Sequence, residues 1–127
     1  MQNYKLNSLA DVQSQGRIEL HNALALTSAE VTINELPAGV SVPFVHAHKT
    51  NEETYIVLKG QGLLYIDGHE LDIQEGDTFR IDPKGERCIK ASDASSLRFI
   101  CIQAKAHSLE SFTQHDGVLV DAKPSWL

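Results

Sequence analysis

The stretch VHAHKTNEETYIVLKG, residues 45–60, joins a polar segment rich in metal-ligating side chains to a β-branched and aromatic run that ends in glycine. The run from Glu53 to Gly60 reads as a strand. Residues i and i+2 of a strand share a face, so His46 and His48 project together. Imidazole is the commonest neutral metal ligand, and two of them one pleat apart can hold adjacent positions on one ion. A carboxylate completes such a set, and Glu52 and Glu53 compete for that role. Parity separates them: with Tyr55 and Val57 on the core face, Glu53 shares it and Glu52 does not. Two histidines and one carboxylate with open coordination positions suit non-haem Fe(II), Mn, Ni or Zn. An HxH pair beside acids also arises by accident in polar loops. Inward parity of all three weighs against that, because an unpaired buried Glu is destabilising.

The rest of the chain repeats the strand period. RIELHNALAL (17–26) and AEVTINEL (29–36) read as strands with a Thr27-Ser28 turn between them. LPAG (36–39) is turn chemistry. Gly60 and Gly62 mark the next turn, and Asp67-Gly68 between LLYI and HELDI is a type I′ hairpin signal. EGD (75–77) and DPKG (82–85) turn the chain around TFRI, and RCIKA and LRFICIQ (97–103) complete the strands. HSLESFTQ (107–114) offers one short turn of helix. Turns every eight to twelve residues or so predict an all-β sandwich or barrel. With no repeat and no linker, residues 1–127 form one domain, with a barrel core at about 20–103, an arm at 1–16 and a tail at 104–127.

Composition narrows the function classes. The chain carries a formal charge of −6, and no Lys/Arg cluster offsets it, which argues against nucleic acid and anionic membrane surfaces as partners. No apolar run approaches the ~20 residues of a membrane span, and MQNYKLNSLADVQSQG (1–16) lacks the apolar core of a signal peptide. The expected location is the cytoplasm, with Cys88 and Cys101 as free thiols.

Gly39, His46, His48, Glu53 and Gly60 resemble the first motif of the cupins: glycine, a short gap, H-x-H, E, then glycine. GDTFRIDPKGERC (76–88) resembles the second motif, with Gly76, Pro83 and Gly85 in place and one residue more than the usual spacing. That resemblance implies a cupin-type double-stranded β-helix, a jelly-roll barrel, and a divalent transition metal on His46, His48 and Glu53. It puts Cys88 where the family carries a fourth, histidine ligand. Three readings of Cys88 stay open: a thiolate ligand favouring Zn, Fe(II) or Cu, a thiol that faces the metal without binding it, or a small buried residue. Cys101 reads as core.

Tyr55, two residues past Glu53 on the same face, is the first candidate for a catalytic acid or base. Phe44 and Phe79 are barrel-lining candidates, Phe79 by plain packing. Gln103 can reach the cavity from the last strand. Lys90 follows the parity of Cys88, with its ammonium expected to reach water. Arg80 and His69 are expected to face solvent, and His21, His107 and His115 to be surface or packing residues. Trp126 either caps the barrel or packs on a second subunit.

By resemblance, the function is that of a small metal-dependent enzyme of dioxygenase, isomerase or lyase type, acting on a small polar molecule in the barrel. The alternatives are a small-molecule binding module that turns nothing over and a redox sensor using Cys88. The resemblance also implies a homodimer, because small cupins commonly pair their barrels through edge strands.

Overall fold

The structure is a computed structural model describing residues 2–9 and 11–127. Seven strands dominate it: β1 (Arg17–Glu19), β2 (Glu30–Leu36), β3 (Asn51–Ile66), β4 (His69–Gln74), β5 (Thr78–Ile81), β6 (Arg87–Ala91) and β7 (Leu97–Lys105). The helices α1 (Val12–Gln15) and α2 (Leu20–Leu24) are each about one turn long. All strand pairings are antiparallel.

Strand β3 organises the barrel. Its first half pairs with β7 and β5, and its second half pairs with β4 and β6. One strand thus belongs to both sheets of an all-β jelly-roll barrel, and β2 and β1 extend the first sheet beyond β7. The core is continuous across both sheets, with Val57, Leu64, Ile89, Leu97 and Phe99 in one apolar cluster.

Gly60 is not the turn that its sequence context predicts. The chain runs through it without reversing, and the register against β7 shifts between Val57 and Lys59. An extra residue in one strand bends and twists that strand. Gly60 has φ +87°, and a Cβ there would lie 1.8 Å from the carbonyl oxygen of Ser96. Glycine is required because the neighbouring backbone already occupies the space of a side chain.

Two further expectations are corrected. RIELHNALAL is a strand only over Arg17–Glu19; Leu20–Leu24 winds into α2 and stops at Ala25 in the left-handed region. Leu, Ala and Asn at these positions lack the β-branching that favours a strand, and β1, an edge strand, has one partner to hold it. The helical turn expected at 107–114 is confined to a 3₁₀ turn at Thr113–His115. The type I′ hairpin is present, with positive φ at both Asp67 and Gly68. No helix among the described residues is long and apolar enough to cross a membrane.

Candidate metal centre

His46 and His48 lie in the irregular segment that leads into β3. Backbone bonds hold them: His46 exchanges N–H···O bonds with Arg87 at 3.1 and 3.0 Å, and the His48 amide donates to Pro83 at 2.7 Å. Glu53 follows on β3, only 4% exposed, while Glu52 points away into a groove on the outer surface. His46, His48 and Glu53 can each offer a ligand atom within 4.8 Å of the other two.

The chemistry of these atoms fits a cation. His48 Nε2 lies 3.2 Å from Glu53 Oε2 and makes no hydrogen bond among the described residues, and the buried Nδ1 of His46 has no partner among them either. Buried nitrogens converging on a carboxylate are costly unless something joins them. Burial pushes the pKa of His46 below its ordinary value, with Arg87 and His48 adding to the shift and Glu53 opposing it. The shift favours the neutral imidazole, the form that ligates.

Glu53 is held from several sides. The Tyr55 hydroxyl donates to Oε1 at 2.8 Å, and the Cys101 thiol donates to Oε2 at 3.4 Å. Arg87 Nε lies 3.4 Å from Oε1, and the Arg87 side chain is 2% exposed. Burial, then the Cys101 thiol and the charge of Glu53, raises the Tyr55 pKa far above the usual phenol range. Burial, followed by Glu53, raises Cys101 to about 12. Both groups keep their protons and serve as donors to the carboxylate.

Cys88 stands apart from this set. Strand β6 buries Arg87, Ile89 and Ala91 and leaves Cys88 and Lys90 half-exposed. The Cys88 thiol donates to the Val42 carbonyl at 3.1 Å and lies 3.7 Å from Ser41 Oγ. It borders the barrel cavity on one side and a shallow outer groove on the other. The β6 side chain beside Glu53 is Arg87. The extra residue between Gly76 and Pro83 explains the offset: counted from Gly85 the histidine position falls on Cys88, and counted from Gly76 it falls on Arg87. The apolar partners Ile89 and Ala91, sharing parity with Arg87, were the available signal.

The cavity around these residues measures about 380 Å³. Antiparallel register stacks its wall in rungs: Glu53 opposite Gln103, then Tyr55, Cys101 and Thr32, then Phe99, Asn34 and Arg17. Cross-strand neighbours share a face, so β1, β2 and β7 contribute polar groups that inspection of residues 45–60 does not reveal. Gln103 accepts from Asn51 Nδ2 at 3.0 Å. Phe44 is largely exposed and meets His46 edge-on, while Phe79 stacks on Tyr55 with 4.8 Å between ring centres. Lys90 pairs with Asp93 and Arg80 with Asp82, both at the surface. His21 contacts Glu30 and lies 4.0 Å from Glu19, forming a second, half-exposed group of metal-competent side chains at the β1–β2 corner.

Comparison with known proteins places this geometry in context. The family model described as "Cupin domain" matches residues 32–103. The crystal structure of a cupin protein from Bacteroides fragilis is 52% identical, covers 94% of this chain and 99% of its own, and superposes with a TM-score of 0.89. A sugar phosphate isomerase of the cupin superfamily from Silicibacter pomeroyi shares the fold at 20% identity and a TM-score of 0.64, over 72% of this chain and 61% of its own. An uncharacterized protein of Methanocaldococcus jannaschii is 33% identical over 75 residues, and the match spans 59% of the length of each chain.

Proposed function

The chain belongs to the cupin family, and from that premise we propose that it is a small metal-dependent enzyme acting on a small polar molecule inside the barrel. One observation carries the reading: His46, His48 and Glu53 converge from adjacent segments with nitrogens that no other described residue satisfies. These three residues would hold a divalent transition metal, which when bound supplies Lewis acidity to an oxygen-bearing ligand. The set leaves positions open for substrate.

The chain's own groups have distinct tasks. His46 presents a neutral imidazole. Tyr55, Cys101 and Arg87 fix the Glu53 carboxylate, so Tyr55 acts in this reading as a positioning residue and not as the acid or base. Leu64, Ile89 and Phe99 supply the apolar wall that limits water. Cys88, whose thiol donates to the Val42 carbonyl, stays outside the ligand set. The reading places the protein in the cytoplasm, where its two free thiols persist. It works as a homodimer: Leu109, Phe112, Val118, Leu119, Val120 and Trp126 are all exposed along the tail, and a second barrel would cover them.

Elemental analysis of protein purified without added metal or chelator tests the reading. Wild type should retain about one equivalent of a first-row transition metal, and His48→Ala should lose most of it. Equal metal content in the two proteins would overturn it.

A further inference from the structure

Two guanidinium groups, Arg17 and Arg87, border the barrel cavity against a single carboxyl group, that of Glu53, although the whole chain carries a charge of −6. Arg87 is 2% exposed; its Nη2 donates to the Asp82 carbonyl at 3.3 Å and its Nε faces Glu53 Oε1 at 3.4 Å, while Nη1 makes no hydrogen bond among the described residues. A buried guanidinium with an unfilled donor awaits an acceptor. Arg17 sits on the first strand, opposite Asn34, and makes no ion pair among the described residues. Its side chain lines the same cavity as His46, His48 and Glu53.

The wall between these two cations is polar and neutral. Thr32 and Asn34 are both more than nine-tenths buried and bond each other, with Asn34 Nδ2 donating to Thr32 Oγ1 at 2.9 Å. That bond leaves the Thr32 hydroxyl proton and the Asn34 carbonyl for a ligand. Arg17 lies two rungs from Glu53, roughly 13 Å along the strands, and three strands away around the barrel wall. The long Arg17 side chain shortens that gap, so a ligand touching both ends is several atoms long.

We infer that the cavity selects a small organic acid with two anionic ends, one seated at the metal centre beside Arg87 and the other held by Arg17. The inference rests on the metal-enzyme reading for its first end only. Arg17 is the specificity-determining residue: its planar fork matches a carboxylate in a bidentate manner, and because it is exposed, substituting it removes no buried side chain.

Calorimetric titration of the metal-loaded protein tests this with two matched pairs, malate against 2-hydroxybutyrate and 2-hydroxyglutarate against 2-hydroxyvalerate. Each pair differs by a terminal carboxylate in place of a methyl group. Wild type should prefer the diacid in at least one pair by about tenfold or more, the weight of a charge-assisted hydrogen bond. Arg17→Gln should erase that preference while leaving monoacid affinity and metal content unchanged. A preference that survives Arg17→Gln, or wild type with no preference for either diacid, overturns the inference. Metal content, measured on the same samples, separates this outcome from failure of the metal site, because an Arg17-dependent diacid preference without metal would uphold the inference alone.

Discussion

The Tyr55 phenol donates to Glu53 Oε1 at 2.8 Å from two residues further along the same face of β3. The pairing comes from the two-residue period of the strand, and it ties the one acidic member of the candidate metal set to the barrel core. Tyr55→Phe keeps the packing on Phe79 and removes only this donor. Metal affinity should fall by about 10- to 100-fold, the usual effect of losing a group that orients a ligand. Competition with a chromogenic chelator measures it, and unchanged affinity would show that Glu53 is held without the phenol.

Cys88→Ser should leave metal content and metal preference as in wild type, because the thiol is directed at the Val42 carbonyl. The two cysteines should also separate by reactivity. At pH 8, iodoacetamide should label Cys88 quickly and spare Cys101, which is 8% exposed with its pKa raised to about 12. Peptide mass spectrometry reads the outcome; altered metal preference in Cys88→Ser would make the thiol a ligand after all.

Alkaline pH should weaken the metal-free fold. Burial, reinforced by Glu53, raises Cys101 from 9.0 to about 12. Between those values the unfolded chain has lost a proton that the folded chain keeps. The unfolded state then binds fewer protons, so stability falls as pH rises, by up to about 1.4 kcal/mol per unit for one group. Below pH 9 the contribution is fully present. Urea midpoints from pH 8 to 10.5 should decline in wild type and decline less in Cys101→Ala; parallel profiles would exclude Cys101 as the cause.

Gly60→Ala should destabilise by roughly 3 kcal/mol or more, through left-handed backbone strain and collision with the backbone that leads into β7. The contact is with the Ser96 carbonyl, which is backbone and cannot rotate away. Gly68→Ala has a similar φ but meets nothing within 4 Å, so its effect should be about 1 kcal/mol. Equal losses for the two variants in urea unfolding would refute the steric account.

Removing residues 117–127 deletes Val118, Leu119, Val120 and Trp126, all strongly exposed on this chain. If a second barrel covers them, the full-length protein should elute as a dimer and the truncated one as a monomer, each with unchanged circular dichroism. Light scattering coupled to size exclusion decides it. A full-length monomer at micromolar concentration would remove the dimer from the proposal.

Local rules carried much of this protein. Alternation and turn chemistry are properties of neighbouring residues, so the all-β class and the Asp67-Gly68 hairpin were readable from the chain alone. The inward parity of Glu53 was readable too, because Tyr55 and Val57 share its face and are buried with it. Tertiary structure decided what depends on which strand meets which. Gly60 reads as a turn until the Ser96 backbone is seen against it. Whether Arg87 or Cys88 faces Glu53 turns on one extra residue between Gly76 and Pro83, and a one-residue shift exchanges the two faces of a strand. The cavity's far wall, Arg17, Thr32 and Asn34, joins the metal centre through pairings between β1, β2 and β7. Those strands are distant along the chain, so only the folded register brings their side chains to one cavity.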